Sequence, residues 1–242
     1  MRPVRLRKSA DLILSALVLM EEFLSVIADS GNLVLLGTLY TLLYAVLGML
    51  FGLPLGMLVT FIRHEQVPVL AGLAHIYVSF MRSTPQLIQA FLVYFGLGAA
   101  GIDLPLIVIG TLVLTANASA YLSETMRGAM EGVSAGQWSA GYSLGLTRFR
   151  TICHIVAPQA LRLAIPGISN TLISLFKDTS VLSVITVAEL MKYTGDIISV
   201  TFRPFTFYLI AAFIYWGLCL LYEYGIHRRV EARFKKAYLP AF

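Results

Sequence analysis

An all-α, polytopic membrane protein with five transmembrane helices and an additional N-terminal amphipathic helix is the fold that this 242-residue sequence predicts. Hydrophobic residues make up 58% of the chain and charged residues only 13%, and the mean hydropathy is +0.80. That leaves too little polar surface for a soluble globule. Several runs are apolar all round, whereas the helices of a soluble domain would each show one apolar stripe.

The first predicted span covers residues 33–62, which contain no charged residue. At 1.5 Å per residue this run is longer than the roughly 30 Å of a hydrocarbon core, so we expect it to tilt or protrude. Gly48, Gly52 and Gly56 recur every four residues, which predicts the close approach of a second helix. Glycines that merely face lipid are the alternative. Pro54 predicts a kink in the same run.

The second predicted span is preceded by a helix that lies on the surface or is half-buried. Residues 67–102 are divided at Ser83-Thr84-Pro85, because proline removes a hydrogen-bond donor and disfavours a helical residue before it. The span itself covers residues 85–99. A turn at residues 100–105 and a third span over the uncharged residues 104–123 follow.

A glycine-rich, polar stretch at residues 128–160 is predicted to be a soluble loop with short helices. The fourth span begins at residue 161, is interrupted by Lys177-Asp178 and ends at about residue 188. Residues 189–203 form a predicted polar connection, and residues 204–222 form the fifth span.

The chain thus divides into an N-terminal amphipathic segment at residues 1–30, a transmembrane domain at residues 31–228 and a basic tail at residues 229–242. In the first segment apolar residues recur at helical spacing beside a polar face, which is typical of an interfacial helix. Glu21 and Glu22 interrupt the apolar core that a signal peptide would need. A sixth span in this segment is the alternative.

The net charge of +5 does not indicate a nucleic-acid-binding protein, because the basic residues lie at segment ends rather than in an aromatic-interleaved patch. In a five-span arrangement, most of them fall on the side that holds the 63–66 loop, the 124–162 region and the tail. This excess predicts that side to be cytosolic. The basic N-terminus argues against it, unless residues 9–28 also cross the membrane.

The loop contains a constellation of small residues that predicts a docking element for another protein. Ser139, Ala140, Gly141 and Gly145 make one side of a short helix, predicted at residues 137–146, flat enough to enter a groove. A flexible linker is the alternative. Glycine inside a helix costs roughly 1 kcal/mol relative to alanine, so Gly145 suggests that a partner approaches its backbone. Alternatively, Gly145 ends a helical turn in the left-handed conformation that asparagine also tolerates.

In this loop the sequence resembles the permeases of ATP-binding-cassette (ABC) importers, specifically the polar amino-acid uptake group. The signature of that family reads Glu-Ala-Ala, three residues, Gly, nine residues, Ile, one residue, Leu-Pro. Here Ser139-Ala140-Gly141, Gly145, Ile155 and Ala157-Pro158 occupy those positions. The leading acid is missing, but the small-residue surface is kept. Other family phrases occur in order along residues 33–228, among them Gly37-Thr38-Leu39, Phe80-Met81-Arg82-Ser83-Thr84-Pro85, Ala120-Tyr121-Leu122-Ser123-Glu124 and Lys177-Asp178-Thr179-Ser180.

The resemblance implies a multi-pass permease of the bacterial inner membrane. It implies pairing with a second permease copy or paralogue, with two ABC ATPase subunits and with an extracytoplasmic solute-binding protein. Because the sequence has no Gly-x-x-x-x-Gly-Lys phosphate loop, we expect this chain to bind no cofactor and the partner ATPase to bind ATP and Mg²⁺. The implied ATPase-coupling residues are Ser139, Ala140, Gly141, Gly145, Leu146 and Pro158.

Polar residues inside the spans are candidates for the substrate path, since the carboxylate and ammonium groups of an amino acid need partners when they lose water. These candidates are Asn117, Tyr121, Glu124, Asn170, Thr171, Ser174, Asp178 and Thr179. Helix–helix hydrogen bonding is the alternative at each position, and for Glu124 a local pair with Arg127. No acid lies in the middle of a predicted span, which favours a neutral polar substrate such as glutamine or cystine.

Two other classes of protein fit the sequence less well. An ion-coupled secondary amino-acid transporter would carry an internal repeat and a coupling acid near the midplane. A membrane-embedded enzyme would need a cluster of reactive groups, whereas the four histidines are scattered and Cys153 and Cys219 lie far apart. We therefore expect a translocation subunit and not an enzyme.

Overall fold

The computed structural model describes residues 3–229, except for the side chains of residues 3–24, 26, 27, 29 and 226. This part of the chain is helical and contains no β-strand, which confirms the predicted all-α class. Its α-helices are, in order, α1 (Pro3–His64), α2 (Leu70–Ser83), α3 (Gln86–Ala99), α4 (Leu106–Glu131), α5 (Ala135–Ser143), α6 (Arg148–Thr151), α7 (Ala157–Asp178), α8 (Leu190–Thr201) and α9 (Pro204–Tyr222).

Four stretches of the described residues are long and apolar enough to cross a membrane. They are Ser30–His64, Leu106–Glu131, Arg148–Ile185 and Pro204–Gly225. The remaining predicted span corresponds to α3, an apolar helix of only 14 residues. At 1.5 Å per residue such a helix is about 21 Å long, shorter than the roughly 30 Å of a hydrocarbon core.

Two helices continue beyond the predicted spans, through charged residues. Helix α4 runs on to Glu131 instead of ending before Glu124. Arg127 pairs with both of these carboxylates at one-turn spacing, so the charges stabilise the helix. Helix α7 likewise contains Lys177 and Asp178, the predicted interruption, and a 3₁₀ turn follows it.

The predicted polar connection at residues 189–203 contains helix α8, which the sequence pattern had not indicated. Glu189 precedes this helix and its carboxylate accepts a hydrogen bond from the backbone N–H of Lys192 at 2.7 Å, which caps the first turn. The same carboxylate, fully buried, accepts a second hydrogen bond from the Tyr215 hydroxyl at 2.8 Å. Glu189 therefore joins α8 to α9.

Helix α1 begins at Pro3 and shows no break between the predicted N-terminal segment and the transmembrane domain. The side chains that would form the amphipathic face of residues 1–30 lie largely outside the described residues. The basic tail beyond residue 229 lies outside them entirely. Both interpretations stay predictions.

The glycine stripe of α1 packs against α4, as the four-residue spacing predicted. A Cβ atom added at Gly48 would lie 3.0 Å from the Cβ of Leu114, and one at Gly52 would lie 3.1 Å from the Cβ of Ala118. At Gly56 it would lie 2.9 Å from the Cβ of Leu122. The two backbones are therefore as close as the absence of side chains allows.

The ends of α1 and α4 lie at the same end of the bundle as the 132–156 segment. Arg148 of this segment contacts Glu65 at 3.1 Å, and the Trp138 ring lies 5.5 Å from the ring of His64. We call this the loop end. It contains the 63–66 turn and the 124–162 region, which the distribution of basic residues had predicted to lie on the same side of the membrane.

Candidate functional site

A polar cavity of about 510 Å³ lies between α4 and α7, and we call it the inter-helix cavity. Along α7 it extends from Gly167 to Asp178, a distance of about 16 Å at 1.5 Å per residue. A Cβ atom at Gly167 would clash with the Thr125 side chain, so α4 and α7 touch there. Pockets for small ligands generally have this size.

Six of the eight residues predicted for the substrate path line this cavity, and the two helices bring them together from opposite sides. They are Asn117 and Tyr121 on α4, and Asn170, Thr171, Ser174 and Asp178 on α7. The sequence reasoning missed Thr84, Gln86, Thr125 and Gly167, which also line it. Thr84 and Gln86 flank Pro85, where the helix break exposes polar groups, so that break was the signal that could have found them.

The amide group of Asn117 has a structural partner as well as a place in the cavity wall. Its Nδ2 donates to Oε1 of Gln89 at 2.9 Å. Gln89 in turn donates to the carbonyl oxygens of Met81 and Thr84, at 2.8 and 3.1 Å. Helix–helix hydrogen bonding, the alternative for this residue, is thus present and holds the break between α2 and α3 against α4.

The other two predicted path residues do not line the cavity. Thr179 is fully buried, and its hydroxyl donates to the carbonyl oxygen of Phe176 at 2.9 Å. Glu124 lies one turn from Tyr121 towards the loop end and is engaged in ion pairs. The structure therefore gives both side chains internal partners.

Glu124 is surrounded by three arginines, of which the sequence indicated only one. Arg127 contacts it at 3.0 Å, as the local spacing predicted. Arg63 of α1 donates to its Oε1 at 2.6 Å, and Arg82 of α2 lies 3.5 Å from its Oε2. We call these four residues the Glu124 cluster. One carboxylate thus joins three helices at the loop end.

The small residues of the loop are not all available to a partner. Ser139 and Ala140 on α5 are exposed, as is Pro158 in the first turn of α7. Gly141 is buried, and a Cβ atom there would lie 2.5 Å from the Thr151 side chain. Gly141 therefore braces α5 against the chain's own loop, and its part in a docking surface stays a prediction.

Gly145 lies just after the short helix, whereas the sequence had predicted it within the helix. Helix α5 ends at Ser143, and Gly145 has a φ of +73° with no atom within 4 Å of a Cβ built on it. Its N–H donates to the carbonyl oxygen of Tyr142, and that of the half-buried Leu146 donates to Gly141. This pair of bonds is the Schellman motif, which needs a left-handed residue. The conformation accounts for Gly145 without a partner.

Substitutions at Gly145 are therefore expected to follow backbone conformation and not side-chain size. Gly145→Asn should keep complex recovery and uptake near those of the original protein. Gly145→Ala should reduce both, because alanine at positive φ costs about 1 kcal/mol. Gly136→Ala, in a helical conformation with only Ser134 Oγ 3.9 Å from its Cβ, is the matched control. An asparagine variant as impaired as the alanine variant would restore the docking explanation.

Comparison with known proteins identifies the family. Residues 48–236 match the family described as the inner membrane component of binding-protein-dependent transport systems. The chain is 36% identical over 199 residues to the L-cystine transport system permease protein TcyB of Bacillus subtilis, covering 81% of this chain and 85% of TcyB. It is 36% identical over 216 residues to the arginine ABC transporter permease protein ArtQ of Haemophilus influenzae, covering 86% of this chain and 96% of ArtQ.

A solved structure shares the fold. It is described as the crystal structure of an amino acid ABC transporter with histidines, and it superposes with a TM-score of 0.81 at 31% identity over 87% of this chain and 98% of that one. The related proteins are permease subunits and not enzymes, which agrees with the expected role. The family match covers most of the chain, and these relatives are more than 30% identical to it. The chain therefore belongs to the inner-membrane permeases of ABC importers, in their amino-acid group.

Proposed function

We propose that this chain forms the path for a polar amino acid in an ATP-driven importer, and that the inter-helix cavity is the part that holds the substrate. The observation that carries the proposal is the convergence of six polar path residues, from two helices, on one cavity of about 510 Å³. Its walls offer amide, hydroxyl and carboxylate groups, which can replace the water that a zwitterion loses.

The charge of the cavity supports a substrate with a neutral side chain, such as glutamine or cystine. Asp178 lies in the wall because α7 continues through it, although the apolar pattern had indicated no acid within a span. Its carboxylate suits the α-ammonium group that every amino acid carries. Among the described lining residues there is no second acid for a cationic side chain.

The loop end is the part that we propose to face the cytosol and to receive the ATPase. Tyr142, Leu144 and Phe149 are exposed there, Leu144 to 76%, and these apolar groups would be covered by a docked partner. ATP and Mg²⁺ would then act on the partner subunits. A second permease, identical or paralogous, and an extracytoplasmic solute-binding protein complete the proposed complex, while lipid surrounds the spans.

The experiment that tests the path compares two threonines with similar local bonds. Thr171 and Thr111 each donate to a carbonyl oxygen of their own helix, four residues earlier, but only Thr171 lines the cavity. In proteoliposomes that contain the whole complex, Thr171→Leu and Asn170→Leu are expected to reduce ATP-dependent uptake by tenfold or more, since each removes a polar partner of the substrate. Association with the ATPase should remain.

Thr111→Leu, the matched control, is expected to keep uptake. Normal uptake by both cavity variants would contradict the proposed path. Uptake that needs an ion gradient and not ATP would contradict the proposed mechanism, and it would favour an ion-coupled secondary amino-acid transporter.

A further inference from the structure

The inter-helix cavity contains no group of positive charge for the carboxylate of an amino acid. None of the described residues that line it is a lysine or an arginine. Amide and hydroxyl groups can donate hydrogen bonds to a carboxylate, but only a cation also neutralises its charge. A cation for the carboxylate must therefore come from a residue beside the described lining.

Arg82 stands at the edge of this cavity, between it and a second one. Its guanidinium carbon lies 5.8 Å from the centroid of the Tyr121 ring, and Tyr121 lines the inter-helix cavity, as does Thr84. Arg82 itself lines a neighbouring cavity of about 380 Å³, together with Ser83 and Glu124. The two cavities are thus bounded by adjacent residues of the same two segments.

Within the Glu124 cluster, Arg82 makes the weakest contact. Its distance to the carboxylate is 3.5 Å, compared with 2.6 Å for Arg63 and 3.0 Å for Arg127. A strong charge-assisted bond would measure about 2.7–2.9 Å. The Arg82 side chain is also 45% exposed, against 9% for Arg63. Glu124 would keep two guanidinium partners if Arg82 turned away.

We propose that Arg82 binds the carboxylate of the transported amino acid, exchanging its long contact with Glu124 for a paired contact with the substrate. A guanidinium presents N–H donors in a planar fork that fits both oxygens of a carboxylate. The exchange leaves no charge uncompensated, because Arg63 and Arg127 continue to neutralise Glu124. This inference rests on the proposed function of the inter-helix cavity and adds to it the group that recognises the substrate's acid end.

The test measures binding to the purified permease–ATPase complex without a solute-binding protein, so that the selectivity of that protein does not enter. The probes are L-glutamine, L-arginine and L-cystine, each compared with the analogue in which every carboxylate is replaced by a carboxamide and the side chain and α-amino group are kept. The unsubstituted complex is expected to bind an acid about tenfold more tightly than its carboxamide. Arg82→Gln should weaken acid binding about tenfold and leave the carboxamide within twofold. Arg82→Lys should give an intermediate affinity.

Lys192→Gln is the control, because it removes a cation that pairs with Asp196 and that belongs neither to the Glu124 cluster nor to the described lining of the inter-helix cavity. It should leave both affinities within twofold. Retained acid binding in Arg82→Gln, equal loss of acid and carboxamide, or the same loss in Lys192→Gln would each overturn the inference. If Asn170→Leu weakens both probes while Arg82→Gln weakens neither, the cavity stands and only the role of Arg82 falls. Binding of none of the probes by the unsubstituted complex would overturn both.

Discussion

Replacing Glu124 by alanine is expected to destabilise the protein by about 3 kcal/mol, because removing one partner of a buried ion pair leaves the other charge uncompensated. The charge left behind is that of Arg63, whose side chain is only 9% exposed. Arg82 and Arg127 are 45% and 40% exposed, so water would screen most of their remaining repulsion. The loss should appear as less folded protein in detergent extracts and a lower midpoint of thermal unfolding.

Two further variants separate charge from shape at this position. Glu124→Gln keeps the shape and should be nearly as unstable as Glu124→Ala. Adding Arg63→Met to Glu124→Gln removes the uncompensated charge and should restore part of the stability. Recovery and thermal unfolding of Glu124→Ala equal to those of the original protein would show that the cluster does not hold the three helices together.

Replacing Gly56 by leucine is expected to separate α1 from α4 and to prevent recovery of the folded protein. Even a Cβ atom at this position would lie 2.9 Å from the Cβ of Leu122 and 3.0 Å from the backbone oxygen of Ser119. A backbone oxygen cannot rotate away as a flexible side chain can. Overpacking typically costs 1–3 kcal/mol, and a full leucine side chain between two helices should reach the upper part of that range.

Gly217→Leu provides the control for this substitution. Gly217 lies in α9, within another stretch apolar enough to cross the membrane, and nothing lies within 4 Å of a Cβ atom built there. This variant should be recovered normally, and Gly56→Ala should be intermediate. Comparable recovery of Gly56→Leu and Gly217→Leu, measured by size-exclusion profile, would contradict the tight packing.

The features that could be predicted from the sequence depend on the spacing of residues that are close together along the chain. Glycines every four residues mark a close helix contact, because a helix places such residues on one face. Polar residues within uncharged runs, such as Asn117 and Asn170, are costly in a bilayer unless they have partners, which is why they pointed to the cavity.

The features that were missed depend on residues distant along the chain or on a capping geometry. Arg63 meets Glu124 across 61 residues, a pairing that no local spacing encodes. Helix α8 was taken for a polar connection because its cap, Glu189, is a single residue whose effect depends on burial. Gly145 was misplaced because a glycine after the last helical residue and one within a helix look alike until the helix end is known.

The inter-helix cavity is built from helices of one chain, so the number of cavities in a complex equals the number of copies of this chain. If two copies of this chain are paired, the complex contains two cavities, and on the proposed function a single turnover could start from either. Pairing with a paralogue that lacks equivalents of Asn170 and Asp178 would leave only one cavity that can hold the substrate. The number of substrate molecules bound at saturation thus reports the composition of the pair.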